Sequence, residues 1–360
     1  MSRLSVFGFV SVALVTAMVF GGSLGVAQAA PAAEVALSLE GQALHTTGSL
    51  LYDSVTMVSL KDLAAEMGFT YKGPGNNAMG TTYQATVTCK DKRVTFNIGS
   101  SWAVVNGHEV LCTAPILEGD KVMVPLRFLA ENMGFQVIWS GNPMGVDLRR
   151  VTENPIVIGT VRERQETSTL RLDLQYPKIA GLDPAVQGQL NAYFSNRTGP
   201  VVEQAHQAEK ENVAGGWTQW PTEAVLNYTV TYNQQDLLCI LFDDYLYTGG
   251  AHGMTGRHGY TVDLKTGTSY ALKDLFKPGT DYVSLISAEV AKQIEARDLA
   301  TLKPFTNIRD DQDFYIKDGD LVVYFQQYEL MAYAYGFPEF KIPMASLGNV
   351  LVPEMAARTW

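Results

Sequence analysis

"MVSLKDLAAEMGF" spans residues 57–69 and "MVPLRFLAENMGF" spans residues 123–135. At a constant offset of 66 residues, eight of the thirteen positions are identical: Met, Val, Leu, Leu, Ala, Met, Gly and Phe. Lys61 and Arg127 also agree in charge. Agreement of that density marks an internal repeat, one supersecondary unit present twice. Within it Leu60, Leu63, Ala64 and Met67 keep the i, i+3, i+4, i+7 rhythm of a single helix face. Ser59 with Asp62 reads as an N-cap and its N3 acid, and Pro125 suits the start of the second helix. Gly68 and Gly134 stand where a helix closes in the left-handed region. Short β-branched runs flank each helix, "SVTMV" and "KVMV" before, "FTY" and "FQVIW" after. Each copy is therefore expected as strand–helix–strand, with "ATVTC" and "RVTFNIG" adding sheet between the copies.

Upstream of the repeat, Met1–Arg3 is a short basic start to the apolar run "LSVFGFVSVALVTAMVFGGSLGV". Ala27, Gln28 and Ala29 then offer the small-x-small pattern of a signal-peptidase site. Residues 1–29 are read as a signal peptide, which makes the mature chain exported and soluble. A retained spanning helix is the competing reading of the same run. No cysteine stands at its exit to carry a lipid, and no second apolar run of spanning length follows.

The chain has 360 residues, room for two domains, and its hydrophobic fraction of 46% fits a globular protein. The formal net charge is −10, and residues 151–360 hold 26 Asp/Glu against 17 Lys/Arg. That balance argues against nucleic acid, whose phosphates require basic side chains, and mildly favours a basic partner. A bridge between Cys89 and Cys112 would close a loop worth about 3 kcal/mol, but spacing alone does not pair them. Cys239, inside "LLCILF", reads as a buried thiol. No CxxC or zinc spacing occurs. His45 and His108 are scattered, and both are read as surface residues.

At the repeat the chain resembles the copper amine oxidase-like N-terminal domain, an accessory module of secreted bacterial proteins. The blocks "VPLRFLAENMGFQVIW" and "VSLKDLAAEMGFTY", the "VNG" of Val105–Gly107 and the "AP" of Ala114–Pro115 carry the likeness. It covers about residues 38–150, and the first domain is drawn over 34–150. The oxidase's catalytic domain is a separate unit. Copper would want three histidines with HxH-like spacing, and no HxH occurs. Asn227-Tyr228 is followed by Thr229 rather than by the acid of a quinone-forming motif. Amine oxidation is not expected.

The second domain is drawn over 151–360, with "VTENPIVIGTVRERQ" as a polar crossing into it. "TLRLDLQYP" reads as a strand, and "LDPAVQGQLNAYF" as a helix opened by Asp183 and Pro184. His206 falls on the solvated face of a following helix. "AVLNYTVTYNQQDLLCILFDDYLY" reads as two strands joined through "NQQD", and "YTVDLKTGTSY" as a further hairpin. "DYVSLISAEVAKQIEA" is a helix with Tyr282, Leu285, Ile286, Val290 and Ile294 on one face. Asp318-Gly319 is the turn of another hairpin. Strands and helices mix without βαβ alternation. The fold class expected is α+β, two domains, each a mainly antiparallel sheet packed with a few helices.

"QYPKIAGL", "LNAYF", "YLYTGGAHG", "LKTGTSYALKDLF", "DFYIKDGDLVVYF" and "YELMAYAYGFPEFKIP" follow one another in the order seen in the extracytoplasmic domain of RsiV-type anti-sigma factors. The same region accompanies the catalytic domain of PdaC-type peptidoglycan deacetylases. The likeness covers about residues 155–348, and it implies an envelope-associated role, in the RsiV type through binding lysozyme. No sigma-binding segment is read before the apolar run, and no deacetylase domain with Asp and His metal motifs is read, so neither activity is expected.

The most unusual stretch is "DDYLYTGGAHGMTGRHGY", residues 243–260. His252 and His258 with Asp243 or Asp244 have zinc-type donors, but a spacing of six matches no common ligand pattern. Asp243 and Asp244 are adjacent on a strand and face opposite sides, so they cannot flank one glycosidic bond. Beyond the N-terminal apolar run no GxSxG occurs, and no catalytic cysteine signature occurs. "RDDQD" at 309–313 has calcium-type oxygens without the glycine or distal Glu of an EF-hand loop. Gly249 and Gly250 read as a sharp turn, with His252 hydrogen-bonding the turn or a neighbouring strand. Tyr245, Tyr247, Tyr260 and His258 are expected to form an exposed aromatic rim, a composition common at interfaces.

The function expected is a secreted or wall-associated envelope protein that binds peptidoglycan or a lysozyme-like basic protein. No catalytic residue, cofactor or metal set is assigned. The alternative is a wall-directed hydrolase or metal enzyme with its site around His252.

Overall fold

The two copies of the repeat meet through their own equivalent strands. Val55–Ser59 and Lys121–Pro125 pair antiparallel, with Met57 opposite Pro125, Val58 opposite Val124 and Ser59 opposite Met123. A local two-fold axis therefore runs between two equivalent valines, and the rest of the repeat follows that symmetry. This computed structural model describes residues 35–45, 49–52, 54–76, 83–90, 92–141 and 144–360. The expected signal peptide lies outside them.

Each central strand feeds a two-turn helix, α1 (Leu60–Glu66) and α2 (Leu126–Asn132). Leu60, Leu63 and Ala64 are buried, as are their equivalents Leu126, Leu129 and Ala130. Burying each leucine contributes about 2 kcal/mol. Ser59 caps α1 by accepting from the Asp62 N–H, whereas Pro125 offers α2 no side-chain cap. Gly68 and Gly134 close the helices at φ 70° and 85°. The next residues, Phe69 and Phe135, meet edge to face across the axis at 6.0 Å. A five-stranded antiparallel sheet runs in order from Thr70–Asn76 to His108–Leu111. Cys89 and Cys112 lie in and just beyond strands separated by two others, and both are free thiols.

The second unit is built on a six-stranded sheet, β1 (Val157–Glu166), β2 (Leu170–Ala180), β3 (Thr222–Gln234), β4 (Leu237–Tyr247), β5 (Met254–Asp263) and β6 (Ser269–Tyr270), in that order. Only β2 and β3 are parallel. The polar crossing expected over 151–165 is shorter, because from Val157 onward its charged residues are strand. As an outer strand bearing Arg162 opposite Gln175, β1 tolerates that polarity. Helices α3 (Pro184–Asn196) and α4 (Thr198–Ala214) cover one face, where Phe194 meets Phe242. Asp183 caps α3 as expected, and Cys239 is buried. A three-stranded sheet of β7 (Phe314–Lys317), β8 (Asp320–Tyr324) and β9 (Glu339–Pro343) packs beside β3, β4 and β5. Helix α5 (Tyr282–Ala296) lies along β9. The architecture is α+β with mainly antiparallel sheets, as expected.

The two units are joined where the parallel pairing stops. β2 and β3 pair only from Leu170/Thr222 to Leu174/Leu226. At the next position Gln175 and Asn227 turn their amides to the backbone of Glu109. The Glu109 N–H donates to Gln175 Oε1 at 3.3 Å, and Asn227 Nδ2 donates to the Glu109 carbonyl at 2.9 Å. Arg162 grips the Glu109 carboxylate at 2.8 Å and Asp173 at the same time. A second bridge, Lys317 to Glu131 at 3.0 Å, links β7 to α2.

His108, read as a surface residue, is 4% exposed at this junction. Its ring stacks on Tyr228 at 4.3 Å, and neither ring nitrogen has a partner at hydrogen-bond geometry. Burial pushes its pKa down to about 4; the Tyr228 backbone and Gln175 oppose the shift in part, while the Arg162 guanidinium adds to it. The neutral ring is the one that fits, so the unfolded chain binds the proton more readily. Stability is fully present above the ordinary value of 6.5 and is lost as pH falls from there to about 4. The difference amounts to about 3 kcal/mol. Thermal unfolding from pH 7 to pH 4 is expected to show this slope, and His108→Phe to flatten it.

Candidate functional site

β4 ends at Tyr247 and β5 begins at Met254, so the glycine-rich stretch is a turn at one end of the main sheet. Gly249 and Gly250 take φ 102° and 95°, angles that side chains resist. The Tyr247 hydroxyl spans the turn and donates to the Gly250 carbonyl at 3.1 Å. His252 pairs through Nδ1 with the Gly253 carbonyl at 2.9 Å and stacks on Tyr333 at 4.0 Å. Tyr333 donates to the same carbonyl at 3.2 Å. Gly253 is fixed by packing, since a Cβ there would lie 2.4 Å from the Tyr245 ring.

The paired aspartates separate as strand geometry requires. Asp243 receives a two-pronged grip from Arg257, at 2.7 and 2.9 Å, directly across from it on β5. The third guanidinium nitrogen reaches Glu339 at 3.0 Å, and the group lies 4.2 Å over the Phe337 ring. Burial, then the Glu339 carboxylate, pushes the Tyr315 hydroxyl far up. On the opposite face His258 Nε2 stands 3.1 Å from Asp244, an ion pair when the imidazole is protonated, though off hydrogen-bond geometry. Tyr260 shares that face and stacks on Tyr193 of α3 at 3.9 Å. Burial, then Tyr193, pushes the Tyr260 hydroxyl up to about 12.

The rim expected from Tyr245, Tyr247, Tyr260 and His258 is therefore not one surface. Tyr245 and Tyr247 lie at positions i+2 and i+4 from Asp243, while His258 and Tyr260 lie on the Asp244 side. All four are partly buried. Alternation puts Asp243 on the face opposite Asp244 and His258, and His252 sits in the turn against Tyr333, so the four do not converge on one metal. Among the described residues no group of three or more His, Cys, Asp or Glu is placed to hold one. The Asp-rich run is occupied by its own Arg309, which holds Asp311, Asp313 and Glu329. His206 is exposed on α4, beside Glu209.

Sequence reasoning missed the residues that finish the free half of β5. Thr255 N–H donates to Gln327 Oε1 at 2.9 Å and Arg257 N–H to Gln326 Oε1 at 3.0 Å. Gln326 Nε2 returns a bond to the Arg257 carbonyl at 2.7 Å, and the Gly259 N–H donates to the Tyr324 hydroxyl at 2.9 Å. The signal in the sequence was two consecutive glutamines straight after a continuously apolar strand. Gly259 itself has no room for a side chain, since a Cβ would fall 2.0 Å from the Phe314 carbonyl oxygen.

Residues 38–146 match the copper amine oxidase N-terminal domain, 163–255 the deacetylase PdaC family, and 273–345 the DUF3298 family of unknown function. The first unit is thus similar to copper amine oxidase N-terminal domains, and the second to PdaC and DUF3298 proteins. The chain is 26% identical over 211 residues to the anti-sigma-V factor RsiV of Bacillus subtilis, covering 55% of this chain and 70% of that one. Over 152 residues it is 28% identical to the peptidoglycan-N-acetylmuramic acid deacetylase PdaC of the same organism. That alignment covers 40% of this chain and only 32% of the deacetylase. Two solved DUF3298-family proteins, from Bacteroides fragilis and Pseudomonas aeruginosa, align with TM-scores of 0.44 and 0.43 at 19% and 20% identity. Each alignment covers 56% of this chain and 97% of the other.

Among the described residues Arg257 is the one cation bridging Asp243 and Glu339. Arg257→Ala leaves both carboxylates without it and is expected to cost about 3–5 kcal/mol. Urea unfolding measures the loss, and Asp243→Asn, which keeps the shape, is expected to cost less.

Proposed function

We propose that this protein is a non-catalytic binding protein of the bacterial cell envelope, secreted or wall-associated, that recognises peptidoglycan or a basic protein such as lysozyme. One observation carries the reading. This one chain aligns with an anti-sigma factor and with a peptidoglycan deacetylase, proteins of unlike activity. What such proteins share is better read as recognition than as chemistry, because function resides in sites grafted onto a fold. The wiring of the glycine-turn end supports this. Its strongest charges, Asp243, Arg257 and Glu339, are engaged with one another, and His252 is packed against Tyr333. The acidic balance of residues 151–360 supports a basic partner through steering. Among the described residues no helix is long and apolar enough to cross a membrane.

Immobilised full-length protein is expected to retain lysozyme, or to co-sediment with purified peptidoglycan sacculi. Retention of neither overturns the proposal. The competing enzyme reading is separated by metal analysis and by turnover of sacculi. The expected result is a metal-free protein without turnover, whose His252→Ala variant differs only in melting a few degrees lower. That shift corresponds to loss of a stacked pair worth about 1 kcal/mol.

A further inference from the structure

Two tryptophans stand in the open beside the glycine turn. Trp217 is 71% exposed and Trp220 is 59% exposed, in the loop between α4 and β3. Trp217 is not a loose end. Its backbone N–H donates to the Asn212 carbonyl at 2.8 Å, and its indole lies against Gly215, where a Cβ would sit 3.3 Å from the ring. Asn212, buried, then donates from Nδ2 to Thr222 Oγ1 and to the Thr248 carbonyl, both at 3.0 Å. The tryptophan loop is thereby bolted to the glycine turn. On the far side of the turn His252 stacks on Tyr333, which neighbours Tyr328 at 5.7 Å. Tyr328 and Tyr335 are again about half exposed, at 49% and 53%. Three loops therefore gather at one end of the main sheet, and the two flanking the glycine turn present large aromatic rings to solvent.

Large apolar side chains held exposed are the informative exception on a protein surface. Here the exposed members are mostly flat rings, with Val213 and Met254 the aliphatic exceptions. The charged residues flanking the tryptophan loop in sequence are Glu209, Lys210, Glu211 and Glu223, three acids to one base. Glu209 is bound by Thr169, Glu211 by Gln207, and Glu223 lies 3.8 Å from Arg171, itself shared with Glu166. Such a setting repels phosphate-rich polymers and anionic lipid headgroups. It suits the uncharged, CH-rich faces of sugar rings, which pack on aromatic planes while their hydroxyl and acetamido groups bond at the rim.

We infer that this end of the sheet binds an uncharged strand of β-linked N-acetylated amino sugars, whose rings stack on Trp217 and Trp220 and continue toward Tyr328. The inference rests on the envelope-binding reading and sharpens it to one surface and one ligand class.

The test uses the full-length protein and a tetramer of β-1,4-linked N-acetylglucosamine, followed by tryptophan fluorescence and calorimetry. Saturation is expected to shift tryptophan emission to shorter wavelength. Trp217→Ala and Trp220→Ala are each expected to weaken binding roughly tenfold, and Tyr328→Ala less. Trp217→Phe and Trp220→Phe keep a flat ring and are expected to retain most of the affinity, which separates stacking from a folding defect. Thermal melts of every variant check the fold. Tetramer binding unchanged in the double alanine variant overturns the surface. A protein that sediments with sacculi or retains lysozyme but ignores the tetramer overturns the ligand class while leaving the envelope reading intact. Lysozyme retention abolished by the same alanines, without tetramer binding, makes a protein the occupant and also overturns the inference. Failure with sacculi, lysozyme and tetramer alike removes the envelope reading itself.

Discussion

One row of polar side chains crosses the main sheet, and most of the second unit's geometry is referred to it. Arg162, Gln175, Asn227, Asp243 and Arg257 occupy successive strands at matching register positions. At one end the row holds the backbone and carboxylate of Glu109 from the first unit. At the other end Arg257 ties Asp243 to Glu339 and so fastens the three-stranded sheet. Each member is satisfied by the next or by a group from a neighbouring layer. Partly desolvated polar groups are costly when one link is removed, so the row resists piecemeal change. It also explains why the parallel contact between β2 and β3 is brief. Beyond Leu174 and Leu226 the strands give their bonding capacity to another part of the chain.

Much of this fold was legible beforehand because it follows local rules. The repeat announced itself by identity at constant offset, and its helices start and stop at Ser59, Pro125, Gly68 and Gly134 where capping chemistry places them. The hairpin turn at Asp318-Gly319 takes positive φ at both residues, 53° and 82°. What stayed hidden depends on register between distant segments. Nothing within "VNGHEV" shows that His108 will be buried against Tyr228, 120 residues away. Nor does "VTENPIVIGTVRERQ" show that its charges are matched by those of the next strand.

The candidate site divides in the same way. The glycines of "YLYTGGAHG" could be read as a turn, and the opposite facing of Asp243 and Asp244 followed from strand period alone. That period also splits the expected aromatic rim, because it sends Tyr245 to one side and Tyr260 to the other. Tryptophans 217 and 220 escaped notice for a different reason. Exposure of an aromatic residue is a tertiary property, and a loop sequence does not declare whether its rings turn inward or out.

The glutamines that finish β5 have a consequence for the behaviour of the protein in concentrated solution. A half-strand with bare N–H and C=O groups is a template on which another chain can lay a strand. Gln326, Gln327 and Tyr324 imitate that missing neighbour with side chains, which bond but cannot propagate a ladder. This border of the main sheet thus ends without being covered by a helix and without inviting edge-to-edge association. That keeps the sheet from growing on this side by copies of itself.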